Sequence, residues 1–329
     1  MKILKRFVAL LLTAVICFNA IGCDNKNNAR KNDKGKYKLT ILTTLFPYYD
    51  FARAIVGETE DINVELLVSP GQDNHSFEPT PADVIAIDEA DVFIYNGGSI
   101  ENWVSEVLQS LDNQEQKVLK MMDYVEVLEE EQVEGMDTRF EEHEHEEDEH
   151  EKHEEFDEHI WTSPVSAQIL TQKICDELCK MSPENAENFQ KNAKDYIARL
   201  QGLNDELHQI VNDAENREII FADKFPLLYF AKEYDLKYYA AFPGCGDDME
   251  PSARTIAFLI DKIREDKVKA VFYLELSSQT VADTISEDTG AKTLQFNSCH
   301  NITQKQFDAG ITYVDLMKEN VDSLRTALN

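Results

Sequence analysis

The chain is organised around Glu141–Pro164, EEHEHEEDEHEKHEEFDEHIWTSP. The first nineteen residues of this stretch contain five histidines, twelve carboxylates and one lysine. Its like charges repel and it has almost nothing apolar to bury, so we expect a solvated loop rather than part of a core. The stretch ends in the apolar and then helix-starting sequence Ile160–Pro164. His159, the last histidine, therefore marks the point where the loop meets the fold.

The histidines of this stretch indicate metal capture. Neutral imidazole nitrogen and carboxylate oxygen both suit borderline divalent cations, zinc above all. Carboxylates alone would favour a merely solubilising linker, but four histidines are interleaved with them before His159. We interpret these four as a secondary, low-affinity metal site: His143, His145, His150 and His153.

The N-terminal sequence predicts export and a lipid anchor. The basic start MKILKR precedes the apolar run Phe7–Ala20, and AIGC closes it at Cys23 in a pattern that resembles a bacterial lipobox. We therefore expect a lipoprotein signal peptide over residues 1–22, lipidation of Cys23 and a flexible tether over residues 23–36. The alternative is a plain signal with an incidental cysteine. The predicted location is extracytoplasmic, at the bacterial cell membrane.

Composition limits the partners. The 329 residues suffice for two domains, and the net charge of −31 opposes binding to nucleic acid, whose phosphates need a basic surface. A cationic partner such as a divalent metal ion fits this charge.

Strands alternate with helices on both sides of a long helical stretch, which predicts an α/β fold of two lobes with mostly parallel sheets. A helix from Pro183 to about Val211 would be about 40 Å long and would join the lobes rigidly. Two ordinary helices broken near Leu203 are the alternative. One long helix, Gln306–Leu328, is expected to close the chain.

These patterns predict the domain boundaries. The N-terminal α/β lobe covers residues 37–164 and includes the acidic, histidine-rich loop 128–158. Connecting helices follow over residues 165–215, and the C-terminal α/β lobe covers residues 216–329.

Two motifs resemble those of a known family. Asp73–Pro81 reads DNHSFEPTP and Asp157–Pro164 reads DEHIWTSP. Both resemble ligand motifs of the substrate-binding proteins of zinc and manganese ABC importers, the cluster A-I metal receptors, and the resemblance covers nearly all of the mature chain. It implies that His75 and His159 bind metal in a cleft between the lobes. It also implies a monomeric receptor that serves an ABC importer permease in the membrane.

The resemblance also bears on the identity of the metal. A histidine-rich acidic loop before the second ligand is typical of the zinc receptors, which makes Zn²⁺ the expected substrate and Mn²⁺ the runner-up. Three or more nitrogen or sulfur ligands would favour zinc, whereas carboxylate-rich coordination would favour manganese.

At the third and fourth ligand positions, the second lobe departs from the family pattern. Lys224 stands where a ligand is expected, and a lysine would have to lose its proton to bind metal. Asp223, one residue earlier, is chemically able, and His300 is our choice for the remaining ligand. Other candidates are Cys245 and Cys299, as thiolate ligands or as a disulfide, and more weakly Glu275. We expect structural roles for Cys175, Cys179 and His208.

A different class of function is an extracytoplasmic metallohydrolase that uses His75 and His159. Such an enzyme needs an open coordination position and a nearby general base. The sequence has no His-Glu-x-x-His motif, and the candidate ligands are spread over both lobes. We therefore expect a binding protein and no enzyme. No sequence feature independently supports cell adhesion, a role attributed to some relatives.

Overall fold

The computed structural model describes residues 36–113, 115–137, 156–244 and 250–329. Several sequence predictions fall outside these residues: the signal peptide over residues 1–22, most of the tether, Cys23, Cys245, and the four histidines His143, His145, His150 and His153. Within the described ranges, no helix combines the length and the apolar character needed to cross a membrane.

The N-terminal lobe contains a four-stranded parallel sheet with the strand order β2-β1-β3-β4. Ile41 in the central strand pairs with Val64 on one side and with Val92 on the other. Such central strands are covered on both faces, which is why they read as continuous apolar runs. The elements of this lobe are β1 (Leu39–Thr43), α1 (Phe46–Val56), β2 (Ile62–Leu66), α2 (Pro81–Glu89), β3 (Val92–Tyr95), α3 (Trp103–Ser110) and β4 (Lys117–Lys120).

Two helices then lead to the second lobe, α4 (Pro164–Met181) and α5 (Ala186–Asp213). Helix α5 has 28 residues, which corresponds to about 42 Å at the usual rise. It continues through Leu203 without a break, so the prediction of one long helix is confirmed. Its start is later than expected because Pro183–Asn185 form a separate 3-10 turn.

The C-terminal lobe repeats the topology of the first. Its parallel sheet has the order β6-β5-β7-β8, which corresponds strand for strand to β2-β1-β3-β4. The predicted fold class, two α/β lobes with parallel sheets and a long helix between them, is confirmed. The elements are β5 (Glu218–Lys224), α6 (Leu228–Glu233), β6 (Lys237–Phe242), α7 (Ala253–Asp266), β7 (Ala270–Leu274), α8 (Thr280–Thr289), β8 (Lys292–Phe296), α9 (Gln304–Asp308) and α10 (Tyr313–Leu328).

The prediction of a single helix over Gln306–Leu328 is wrong. The structure has two helices, α9 and α10, separated at residues 309–312. Gly310 has a φ of 71°, a left-handed conformation that ends the first helix. Thr312 then begins the second helix through a capping box with Asp315.

The largest apolar cluster extends through both lobes. It contains Ile41 and Ile94 from the first sheet, Leu200 from α5, and Phe221 and Phe272 from the second sheet. Helix α5 packs against α1, α4 and α10 within this cluster. The lobes therefore share one continuous core, which resists a large change in their relative orientation.

Candidate metal centre

A cavity of about 140 Å³ lies where the carboxyl ends of strands from both sheets meet. Ligands of parallel α/β sheets bind at such strand ends because the loops there converge. Residues that line the cavity come from the last positions of β5 and β7, from the loops after β2, β5, β6, β7 and β8, and from the segment before α4. Among them are His75, His159, His300, Asp73, Lys224 and Glu275.

His75 is held by a carboxylate two residues earlier. One oxygen of Asp73 accepts the backbone N–H of His75 at 3.1 Å and lies 3.2 Å from its ring Nδ1. The hydrogen bond with His75 lowers the pKa of Asp73 well below its usual range, so this carboxylate stays ionised. Among the described residues no hydrogen-bond partner reaches the buried Nε2 of His75. That nitrogen therefore remains available to a metal ion.

His159 repeats this arrangement in a fully buried position. One oxygen of Asp157 accepts its backbone N–H at 2.8 Å and lies 3.2 Å from its Nδ1. Burial alone would lower the pKa of His159, but the carboxylates of Asp157 and Glu158 outweigh burial and raise it. Its Nε2 is also buried, and no partner for it occurs in the described part of the chain.

The segment that carries His159 is tied to both lobes. Glu158 accepts the backbone N–H groups of Ser99 and Ile100 in the first lobe, the latter at 3.0 Å. Tyr229 of the second lobe donates its hydroxyl to the carbonyl oxygen of Asp157 at 2.7 Å. These bonds fix the backbone on either side of the histidine.

His300 lies in the loop after β8. Its Nδ1 is 2.6 Å from the hydroxyl oxygen of Ser298, again the residue two positions earlier. Burial, together with the nearby His75 and His159, lowers the pKa of His300 to about 3. Its imidazole is therefore neutral at physiological pH, which is the form that binds metal.

The three histidines approach one another closely. The ring centroid of His75 is 5.9 Å from that of His159 and 5.9 Å from that of His300. Ligand atoms of Asp73, His75 and His300 all lie within 4.8 Å of one another. Around a tetrahedral zinc ion, nitrogen ligands at about 2.0–2.1 Å from the metal are about 3.4 Å apart.

Two of the other candidates occupy different environments. The carboxylate of Asp223 accepts the backbone N–H groups of Lys224 at 2.8 Å and Leu274 at 3.1 Å, so it bridges β5 and β7 instead of lining the cavity. Glu275 does line the cavity, and its pKa is raised to about 7 by burial.

The described cysteines and His208 do not line the cavity. Cys299 is a buried free thiol whose Sγ is 3.7 Å from the carbonyl oxygen of Asn297. Cys175 and Cys179 face each other on α4 with sulfurs 3.9 Å apart. The partly exposed His208 on α5 is 3.8 Å from Glu233.

Sequence reasoning missed the residues that orient the histidines. For two of them the sequence contained an indication, because Asp73 and Asp157 each stand two positions before a candidate histidine. Ser298 has the same spacing to His300 but no carboxylate, and its contact with Glu275 could not be foreseen, since these two residues meet only through the pairing of β7 with β8.

Two parallel α/β lobes with a shared core, and three histidines that converge between their strand ends, define a two-lobed metal-binding protein. The model of the family described as zinc-uptake complex component A, periplasmic (ZnuA), matches residues 41–327. The chain belongs to this family.

Similar proteins carry matching descriptions. The chain is 35% identical over 325 residues to the high-affinity zinc uptake system protein ZnuA of Bacillus subtilis, which covers 98% of each sequence. It is 33% identical over 319 residues to the zinc-binding lipoprotein AdcA of Streptococcus pneumoniae, covering 97% of this chain and 60% of AdcA. The chain thus spans less than two thirds of the length of AdcA.

Solved structures show the same fold. The metal-dependent lipoprotein YcdH from Bacillus subtilis superposes with a TM-score of 0.72 at 32% identity, covering 89% of this chain and 100% of that one. The Zn(II)-bound ZnuA-like domain of Streptococcus pneumoniae AdcA gives a TM-score of 0.71 at 30% identity, with coverage of 88% and 99%.

Proposed function

We propose that this protein is an extracytoplasmic receptor that binds Zn²⁺ tightly and delivers it to an ABC importer in the membrane. The observation that carries the proposal is the paired Asp-x-His arrangement. In both pairs the carboxylate holds Nδ1, and the buried Nε2 has no partner among the described residues. A carboxylate on Nδ1 fixes the tautomer and raises the basicity of a metal-binding imidazole.

We infer that His75, His159 and His300 supply three nitrogen ligands. We assign Asp73 to orient His75, because its carboxylate holds Nδ1, on the side of the ring away from Nε2. A set rich in nitrogen favours zinc over manganese. Asp223 is less suitable, since its carboxylate already accepts two backbone N–H groups. The family membership supports a receptor and not an enzyme.

The proposal also includes a membrane location and a second, low-affinity zinc site. Lipidation of Cys23 would keep the receptor at the membrane as a monomer beside its permease, and the name of the relative AdcA, a zinc-binding lipoprotein, supports this. His143, His145, His150 and His153 would collect zinc with low affinity outside the tight site.

Competitive titration with a chelating indicator tests the tight site. We expect His75→Ala and His159→Ala each to weaken zinc binding by more than about 100-fold. Loss of a residue that hydrogen-bonds to a ligand typically weakens binding about 10–100-fold, and loss of the ligand itself should have a larger effect. His208→Ala, on α5 and outside the cavity, is the matched control and should bind as the parent does. Manganese titrated in parallel should bind more weakly. Unchanged zinc affinity in both ligand variants would refute the proposed site.

Deletion of residues 141–155 tests the division between the tight site and the collector. The shortened protein should keep one tightly bound zinc ion, while the total number of ions bound at high zinc concentration falls. Equilibrium dialysis with metal analysis measures both quantities. Loss of the tight ion on deletion would show that the two sites are not separate.

A further inference from the structure

Ser298 lies at the centre of a buried hydrogen-bond network beside the cavity. The residue is 1% exposed, and its hydroxyl oxygen is 2.6 Å from Nδ1 of His300. The same hydroxyl donates to Oε1 of Glu275 at 2.7 Å. The backbone N–H of Ser298 donates to Oε2 of Glu275, also at 2.7 Å.

The directions of these bonds decide which nitrogen of His300 carries the proton. A hydroxyl has one hydrogen to donate and can also accept. Both carboxylate oxygens of Glu275 accept backbone N–H groups of this loop, so they face the hydroxyl as acceptors, and the hydrogen of Ser298 goes to Oε1 of Glu275. The oxygen of Ser298 then accepts from Nδ1–H of His300. A neutral imidazole with its proton on Nδ1 has an unprotonated Nε2, which is the form required of a metal ligand.

Glu275 is better suited to orient Ser298 than to bind metal itself. Its Oε1 accepts from the hydroxyl of Ser298 and from the backbone N–H of Cys299 at 2.9 Å, while Oε2 accepts the backbone N–H of Ser298. Three of its lone pairs are therefore occupied by donors from the loop after β8. This carboxylate holds the loop in one conformation.

The network also reaches the histidine contributed by the first lobe. The indole N–H of Trp161 donates to the carbonyl oxygen of Ser298 at 2.9 Å. The Trp161 ring packs against the ring of His159, with centroids 5.4 Å apart. Ser298 thus contacts His300 through its side chain and the neighbour of His159 through its backbone.

We propose that Ser298, oriented by Glu275, is a positioning residue for zinc binding that acts through His300. The inference rests on the proposed function, in which His300 is a ligand. The serine hydroxyl would keep the imidazole in one tautomer and one rotation, so that Nε2 points at the ion before it arrives. Preorganisation of this kind strengthens binding without adding a bond to the metal.

Zinc affinities of single variants give the first test. We expect Ser298→Ala and Glu275→Gln each to weaken zinc binding about 10–100-fold, the range observed for residues behind a ligand. In Glu275→Gln the amide side chain would still fill the space of the carboxylate but could not accept hydrogen bonds at both oxygen positions. Ser105→Ala is the matched control, because Ser105 is an exposed serine on α3 that does not line the cavity. It should bind zinc as the parent does.

A double-mutant cycle separates a positioning role from a merely structural one. If Ser298 acts through His300, Ser298→Ala should cause less than about a twofold further loss in a His300→Ala background. A structural role would give the same loss in both backgrounds. ¹⁵N chemical shifts of the His300 ring provide a second readout: a single Nδ1-protonated tautomer in the parent, and a mixture of tautomers in Ser298→Ala.

The outcomes distinguish the inference from the function on which it rests. Parent-like affinity in His300→Ala would remove His300 from the ligand set and the inference with it. Weak binding in His300→Ala together with parent-like binding in both Ser298→Ala and Glu275→Gln would overturn the inference alone. If Ser298→Ala does not fold, Glu275→Gln and its own cycle with His300→Ala decide the question.

Discussion

Each of the three histidines is oriented by the residue two positions before it. Asp73 holds His75, Asp157 holds His159, and Ser298 holds His300 through Nδ1. The first two holders carry a negative charge and the third is neutral. Among them, the neighbouring carboxylates raise the pKa of His159, whereas burial lowers the pKa of His300 to about 3.

Acid should weaken zinc binding through His159. Metal and proton compete for the same imidazole, and the pKa of His159 is raised above 6.5. As the pH falls below that pKa, the proton must be displaced, so zinc affinity should fall by at least about tenfold per pH unit. His300, with a pKa of about 3, is already neutral in this range and adds no further dependence. Chelator competition at pH 6.5 and 5.5 measures the slope, and equal affinities would contradict the prediction.

Gly244 leaves little space beside the site. A Cβ atom at this position would lie 3.3 Å from Cε1 of His159, 3.4 Å from a carboxylate oxygen of Asp157 and 3.2 Å from the carbonyl oxygen of Phe225. Gly244→Ala should therefore displace the His159 ring and weaken zinc binding several-fold. Isothermal titration calorimetry measures the change. If Gly244→Ala binds zinc as tightly as the parent, the backbone at residue 244 can shift without moving the His159 ring.

Helix α5 contains one position at which a substitution should increase the stability of the protein. Gly202 lies inside the helix, is exposed, and a Cβ added there would meet nothing within 4 Å. Gly202→Ala should stabilise the protein by about 0.5–1 kcal/mol, because glycine loses more backbone freedom on entering a helix. The fully buried Leu200 in the same helix is the contrast: Leu200→Ala should cost about 2–5 kcal/mol. Urea denaturation measures both. A destabilised Gly202→Ala would contradict the prediction.

The sequence predicted the alternating strands and helices because their apolar spacing is a local property. It also indicated His75 and His159 through their motifs. The break at residues 309–312 was missed although its signals, Gly310 and the Thr312–Asp315 capping pair, are present in the sequence. The apolar residues on both sides of the break have helical spacing, which favoured the prediction of one continuous helix.

The environment of Asp223 could not be predicted in the same way. Successive side chains of a strand point to opposite faces, and Asp223 and Lys224 are neighbours in β5. Because Lys224 lines the cavity, Asp223 is directed elsewhere, to the backbone of Leu274 in the adjacent strand. Which of two neighbouring side chains faces the cavity depends on how the sheet is placed, and the sequence of one strand does not contain that information.

For the whole molecule, the shared core limits the motion that accompanies binding. Apolar side chains of both sheets and of α5 belong to one cluster, so a wide opening would expose buried surface at about 25 cal/mol per Å². Zinc should therefore change the radius of gyration by less than about 1 Å, in the range of preorganised complexes. Small-angle scattering with and without zinc measures this change. A contraction of several ångströms would show that the lobes hinge.

The same core has a consequence for biogenesis. Leu39, near the start of the described residues, and Leu328, near their end, belong to one apolar cluster. The core that the first lobe shares with the last helix can be completed only after that helix has been made, so we expect a partly made chain to be incompletely folded. A secretory channel that threads extended polypeptide requires such a substrate. The long-range closure of this core would thus favour folding after export, in keeping with a family described as periplasmic.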